Sequence, residues 1–240
     1  MNYSEIGFKS GLEIHQQLDT EKKLFCNCKS RLTNQKAVAK IMRKQRPVAG
    51  ELGEVDAAAA YELLKNKTFE YDFYPQESCL VEADEEPPHP INPEALKIGL
   101  QVALLLNCEI PDEIHVMRKT VIDGSNTSGF QRTSIIGLNG WIETSKGKVG
   151  ITSLSLEEDS AQILDRKENK VVYGLDRLGI PLLEIGTAAE GKDPEHAKEL
   201  AEKLGLLLKS VKVKKGLGTI RQDLNVSIKG GARQELKGFQ

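Results

Sequence analysis

The sequence has no apolar run approaching the ~18 residues that a membrane-crossing helix requires. Its first residues, Met1-Asn-Tyr-Ser-Glu5, lack the charged-then-apolar pattern of an export signal, so a cytoplasmic protein with no membrane partner is expected. Cysteine is scarce: four in 240 residues do not make a disulfide framework, which agrees with a reducing compartment. Neither sign of charge dominates, since 33 Lys and Arg stand against 35 Asp and Glu. That balance excludes an overall basic field, and any contact with nucleic acid must be local. Repeats, low-complexity stretches, the Gly-x-x-x-x-Gly-Lys phosphate loop and the Rossmann glycine fingerprint are missing too. What is present is a soluble globular composition, 39% hydrophobic and 28% charged, long enough for one large domain or two small ones.

The residue pattern predicts a single α+β domain. Gly7 to Leu18 reads as a strand, Asp19-Thr-Glu-Lys22 as a turn, and Leu24-Phe-Cys26 as the opening of a second strand. Lys36, Lys40, Arg43, Lys44 and Arg46 form a basic cluster, and residues 55–65 are a helix by propensity. Phe69 to Tyr74 holds four aromatics and reads as a strand, whereas Asn92-Pro93 starts an apolar helix through Leu106. Strands are predicted over 114–122, 134–137, 141–144, 148–158, 170–175, 180–187 and 219–229. Hairpin turns at Leu138-Asn-Gly140 and Ser145-Lys-Gly147 make the sheet mainly antiparallel. Asp193 caps, and Pro194 opens, a helix through Leu208.

Against that pattern, four acidic groups sit inside segments that otherwise read as buried strands. They are Glu13 in Gly11-Leu-Glu-Ile-His15, the run Glu157-Glu-Asp159, Glu184 in Pro181-Leu-Leu-Glu-Ile185, and Asp223 in Ile220-Arg-Gln-Asp-Leu-Asn-Val-Ser-Ile228. A carboxylate taken from water into an apolar strand costs several kcal/mol unless something neutralises it. A shared divalent cation with a taste for oxygen is the ordinary solution, and Mg²⁺ is commonly held by carboxylates together with substrate phosphates. Glu13 and His15 project from one strand face, as do Glu157 and Asp159, with Glu158 on the other. Asp223 and Asn225 share a face with Arg221 beside them, a mixture of acid, amide and cation suited to phosphate. The segment from Arg118 to Arg132 is rich in turn formers and polar groups, and its backbone N–H groups with Arg and Lys suit a nucleotide's phosphates. Each feature also has a plainer reading: a structural Glu–His pair, a solvated acidic turn, a solvated hairpin loop. Cys26-Asn-Cys28 brings two thiols close, but closed zinc sites need four ligands, and Cys79 and Cys108 remain as singles. Buried structural thiols are the better reading there. His89 and His115 find no partners in the pattern.

Gly11-Leu-Glu-Ile-His15 with Leu24-Phe-Cys-Asn-Cys28, the Leu156-Glu-Glu-Asp159 segment, Asp176-Arg-Leu-Gly-Ile-Pro-Leu-Leu-Glu-Ile185 and Arg221-Gln-Asp-Leu-Asn-Val-Ser227 follow one another in a characteristic order and spacing. In that order the chain resembles the B/E subunit family of tRNA-dependent amidotransferases, from about residue 8 onwards. Glu235-Leu-Lys237 looks like the start of the family's next motif. The block Arg46-Pro-Val-Ala-Gly-Glu-Leu-Gly-Glu-Val55 and the loop Thr120-Val-Ile-Asp-Gly-Ser-Asn126 are similar to the archaeal E branch. The B branch carries a second close cysteine pair where this chain has Pro75-Gln-Glu-Ser-Cys79, a departure that counts against a zinc site.

The resemblance implies a catalytic cradle of antiparallel sheet with flanking helices, related in fold to glutamine synthetase and the guanidino kinases. It implies ATP- and Mg²⁺-dependent phosphorylation of the glutamate side chain on misacylated Glu-tRNA(Gln), then amidation to Gln-tRNA(Gln). The ammonia would come from an asparaginase-like D subunit. Residues 1–240 would be that domain, incomplete at its C-terminus, with an inserted domain and the tRNA-gripping tail domains absent. Carried over, Glu13, His15, Glu157, Glu158, Asp159 and Glu184 are the metal candidates. Glu13, His15, Glu158, Glu184, Arg221 and Asp223 are the catalytic candidates. Arg118, Lys119, Asp123, Gln131, Asn225 and Ser227 are expected on the nucleotide. Which of Glu157 and Glu158 faces the site depends on strand register. Two other readings compete: a non-catalytic tRNA-binding module that keeps the cradle, and a plain metal-binding or structural domain.

Overall fold

The computed structural model describes residues 2–44, 49–50 and 52–238; Arg46 of the basic cluster and residues 46–48 and 51 of the E-like block lie outside them. Along the chain run β1 (Lys9–Gln17), β2 (Ala39–Arg43), α1 (Ala57–Leu64), β3 (Thr68–Phe73), α2 (Pro93–Leu105), β4 (Met117–Thr120), β5 (Phe130–Thr144) and β6 (Gly147–Glu158). They are followed by β7 (Gln162–Lys167), β8 (Lys170–Gly174), β9 (Pro181–Thr187), α3 (Pro194–Lys209), β10 (Ile220–Ser227) and β11 (Gln234–Leu236). The fold is α+β. No helix among the described residues is long and apolar enough to cross a membrane.

Seven strands form one antiparallel sheet in the order β11-β10-β1-β9-β6-β5-β4. Strand alternation decides its two faces. Leu12 and Ile14, Leu154 and Leu156, and Leu183 and Ile185 point to one side and pack with Ile98 and Val102 of α2 and Leu200, Leu204 and Leu208 of α3. Fully burying each such side chain is worth ~2 kcal/mol. Glu13, His15, Ser155, Glu157 and Glu184 must therefore take the opposite face, and a one-residue slip would drive acids into the core. The helices are held at their starts by side chains. Asn92 accepts from Glu94 N and Ala95 N while donating to the carbonyls of Lys22 and Lys23, and Asp193 accepts from His196 N.

A second, four-stranded sheet runs β2-β3-β8-β7, with β3 and β8 parallel. Its core of Phe69, Tyr71, Val171, Tyr173, Leu175 and Leu178 also anchors the loop after β4. Tyr71 and Tyr173 stack and donate their hydroxyls to the carbonyls of Gly124 and Asp123, each at 2.7 Å. Gly124 has φ +84, and a Cβ there would stand 2.4 Å from the Phe69 ring, so only glycine fits this turn.

Two expectations fail. Leu24-Phe-Cys26 is not a strand: Lys23 N–H bonds back to the Cys28 carbonyl and Leu24 N–H to Gly179, curling the segment into a loop that buries Leu24 and Phe25. Leu138-Asn-Gly140 is not a hairpin turn. Leu138 exchanges two backbone hydrogen bonds with Glu109, so β5 kinks through a bulge near Gly137, with Asn139 at φ 52, and continues to Thr144. The turn at Ser145-Lys146 does form, with Gly147 at φ 105. Strands β2, β7 and β11 carry no clear alternation and escaped the pattern.

Candidate active site

On the sheet face that the helices leave uncovered, β1 places Glu13 and His15, and β9 places Glu184 directly opposite His15. Strand β6 adds Glu157, β10 adds Arg221 and Asp223, and the edge strand β4 reaches in with Lys119. The centre is Glu184 Oε2, which lies 3.1 Å from His15 Nε2 and 2.9 Å from Lys119 Nζ. Lys119 also approaches Glu157 Oε1 at 3.4 Å, and the Thr133 hydroxyl donates to that same oxygen at 2.7 Å. Glu13 stands 3.7 Å from His15. Asp223 meets Lys237 at 3.2 Å.

The carboxylates of this basin are driven apart in acidity. His15, and then Lys119, hold the Glu184 carboxyl down to about 2. Burial, and then the charge of Glu184, push Glu157 up from the ordinary carboxylate range. Burial works against the Lys119 cation, but Glu157 and Glu184 outweigh it and raise its pKa. Neighbouring carboxylates with opposed environments are a recurrent mark of acid–base and metal sites.

Donor atoms of His15, Glu157 and Glu184 lie within 4.8 Å of one another, and so do those of Glu13, His15 and Asp223. Lys119 is shared by Glu184 and Glu157, and Lys237 by Asp223 and Glu235, so carboxylates outnumber ammonium groups in these contacts. Glu157 Oε2 is buried without a hydrogen-bond partner. An orphaned carboxylate oxygen beside an imidazole and further acids fits a small, oxygen-seeking cation.

The remaining sequence candidates divide. Glu158 does not join the basin: alternation turns it to the other side of β6, where it is 3% exposed and clasped by Arg132. Asp159 lies just beyond the strand and is occupied, accepting from Gln17 at 2.6 Å and from the Arg221 guanidinium at 3.2 Å. Neither appears in the groups of converging donors among the described residues. Arg221 thus reaches the basin edge through Asp159. Asn225, two residues from Asp223, keeps a buried side-chain oxygen without a partner. Ser227 pairs with Lys9, six residues and ~20 Å along the strand from Arg221. Arg118 faces away from Lys119 and lies over the Phe130 ring, lining a cleft of about 690 Å³ between α1 and β4. Asp123 is a turn residue that accepts from Ser125 N, and Gln131 donates to the Glu158 carbonyl. Sequence reasoning missed Gln17, Thr133 and Lys237. Gln17 had a signal, two residues from His15 on β1, whereas Thr133 meets Glu157 only through the pairing of β5 with β6.

A second group lies in the loops beside the end of β6. Donor atoms of Cys26, Cys28, Cys79 and Glu82 are within 4.8 Å of one another. The shortage of ligands read from the cysteine count does not hold in the fold: Cys79 joins the close pair and a glutamate completes four donors, while Cys108 stays away. Hydrogen bonds with Cys26 and then Cys28 lower the Cys79 thiol, whereas contacts with Cys28 and then Cys79 raise Cys26. Glu82 is raised by burial, offset in part by Lys23, whose ammonium is fully buried 3.6 Å away. Three thiols and one carboxylate suit a tetrahedral thiophilic cation such as zinc.

Known proteins resemble this chain along most or all of its length. The description of the GatB/GatE catalytic domain matches residues 8–240. The chain is 57% identical over its whole length to the glutamyl-tRNA(Gln) amidotransferase E subunit of Methanocaldococcus jannaschii, covering 38% of that protein. It is 54% identical to the protein of that name from Methanothermobacter thermautotrophicus and 55% to that from Saccharolobus solfataricus, again over its whole length. It covers 39% and 38% of them. The chain thus spans well under half the length of these relatives.

Proposed function

The chain belongs to the GatB/GatE catalytic-domain family, and from that premise we propose that its acidic basin is the kinase and transamidase site of a glutamyl-tRNA(Gln) amidotransferase. The reaction is ATP-dependent phosphorylation of the glutamate side chain on Glu-tRNA(Gln), followed by attack of ammonia to give Gln-tRNA(Gln). Ammonia attacks a free carboxylate poorly because oxide is a poor leaving group, and phosphorylation lets that oxygen depart as phosphate. The first step brings two anions together, so fixed cations and exact placement carry it.

The arrangement around Glu184 carries this reading. One oxygen holds an imidazole and an ammonium while the neighbouring Glu157 keeps an unpartnered oxygen. Glu13, His15, Glu157, Glu184 and Asp223 would hold Mg²⁺. The metal, when bound, supplies charge neutralisation for the phosphates. Lys119 sits where it can pass from Glu184 and Glu157 to an incoming phosphoryl oxygen. Arg221, fixed by Asp159, presents a second cation at the rim, and Asn225 offers an amide for orientation. Ammonia would come from an asparaginase-like partner protein, and the tRNA would be gripped mainly by segments outside these 240 residues. A non-catalytic tRNA-binding module is the poorer reading, because a face lined by carboxylates repels a polyanion.

The test uses the full-length enzyme with its ammonia-supplying partner, ATP, Mg²⁺ and glutamyl-tRNA(Gln). Glu184→Gln is expected to abolish ATP cleavage and amide formation together while the circular dichroism spectrum is kept. Unchanged turnover would remove Glu184 from the site.

A further inference from the structure

At the basin end of the β5–β6 pair, side chains replace the ordinary ladder. Thr133 stands opposite Glu157, and one step further Arg132 meets Glu158. The Arg132 backbone N–H donates to Glu158 Oε1 at 2.9 Å, and the guanidinium Nη1 reaches the two carboxylate oxygens at 3.3 and 3.2 Å. Gln131 donates its side-chain amide to the Glu158 carbonyl at 2.7 Å. All three residues are buried, and the ion pair lies on the sheet side away from the basin. The Arg132 guanidinium is further confined by the rings of Phe25 and Phe130.

Each partner of this clasp is the chain neighbour of a basin residue. Arg132 precedes Thr133, and Glu158 follows Glu157; Thr133 and Glu157 are themselves joined by the 2.7 Å hydrogen bond. We propose that Arg132 and Glu158 are positioning residues: from the rear of the sheet they fix where β6 ends against β5, and so set Glu157 against His15, Lys119 and Glu184. Alternation makes the rear clasp effective, because a shift of the β6 end at Glu158 carries Glu157 on the front face with it. The free oxygen of Glu157 has no hydrogen bond of its own to hold it. Its place depends on the backbone behind it. This inference rests on reading the basin as a divalent-cation site.

The test takes the full-length protein with Mn²⁺ alone as probe, reading bound and free metal by electron paramagnetic resonance alongside the thermal midpoint. In the double variant Arg132→Met/Glu158→Leu, apolar side chains of similar size replace the pair, so no charge is left buried and unpaired. Loss of residues that orient metal ligands typically weakens binding about 10-fold or more, and that drop is expected here with the thermal midpoint kept. Arg132→Lys retains the charge but loses the planar fork and should fall between. Glu184→Gln serves as the control for the basin itself. If Glu184→Gln weakens Mn²⁺ binding and the double variant binds like wild type, the positioning role is overturned. If Glu184→Gln leaves Mn²⁺ affinity unchanged, the cation reading falls, and this inference with it. Should the double variant not fold, Arg132→Lys decides: wild-type affinity overturns the proposal and a weaker one supports it.

Discussion

The basin around His15 gathers oxygen donors and an imidazole on a sheet face that no helix covers, whereas Cys26, Cys28, Cys79 and Glu82 gather three thiols and one acid inside packed loops. Their surroundings differ as much as their donors. The basin keeps its acids apart with Lys119 and leaves an oxygen of Glu157 unsatisfied. In the thiol group, Cys26 donates to Glu82 at 2.8 Å, the Cys79 N–H donates to the same carboxylate, and Lys23 presses on it from the buried side. Four donors around one point leave no position for a substrate, the mark of a structural site. Sparse ligation with spare capacity is the mark of a site that exchanges what it binds. Among the described residues, the chain therefore carries two donor clusters of different chemistry, one of oxygens and an imidazole, the other of thiols and a single acid.

Substitutions should separate the two, the largest effect falling on turnover. Glu157→Gln removes a charge from the basin, and ATP-dependent amide formation should drop about 10²–10³-fold while the thermal midpoint moves little. Cys79→Ser should do the reverse, lowering the midpoint by several degrees with a far smaller loss of turnover in the protein that remains folded. Equal losses of turnover in both variants, at an unchanged midpoint, would erase the distinction.

Metal exchange sharpens the same contrast. Elemental analysis of the purified full-length protein should find about one tightly held zinc that survives dialysis against a weak chelator. Mg²⁺ or Mn²⁺ in the basin should leave and return within mixing time. A strong thiophilic chelator should then cost several kcal/mol in urea denaturation, and Cys26→Ser should abolish that sensitivity. Finding no thiophilic metal, with denaturation indifferent to the chelator, would return the cysteines to plain buried thiols.

Much of this was legible in the residues, and the failures have physical causes. Helices α1, α2 and α3 declare themselves through propensity, Asn92-Pro93 and Asp193-Pro194. The basin was readable because an acid between Leu183 and Ile185, or between Leu12 and Ile14, has only the other face to occupy. Glu157 and Glu158 could not be told apart, since register is set by Leu154 and Leu156 packing against the helices, a contact distant in sequence. Asp159 misled for a related reason: its partners Gln17 and Arg221 lie 142 and 62 residues away. The thiol group was legible only in part, as the close pair Cys26 and Cys28 with Cys79 apart from it. Glu82 sits in a turn that nothing local marks as a ligand, and only folding brings it to Cys26, 56 residues away.

The smallest effect tests the electrostatics of the basin without metal. His15, and then Lys119, hold Glu184 down to about 2 from the ordinary 4.5. A lowered carboxylate contributes its stability in full above its unfolded-state pKa and loses it as pH falls from there through the folded value. In metal-free protein, the stability difference between wild type and Glu184→Gln should be steady from about pH 7 to pH 5 and more than halve by about pH 3. Its ceiling is ~3 kcal/mol, and strong coupling to its neighbours brings it lower. Burial and the Glu184 charge raise Glu157, so its contribution has the opposite sign. Removing Glu184 relieves part of that strain and trims the difference further. Urea titrations at a series of pH values would measure it. A difference that grows as the pH falls would mean that His15 and Lys119 do not hold the Glu184 carboxylate, and the basin would lose the charged centre on which its contrast with the thiol group depends.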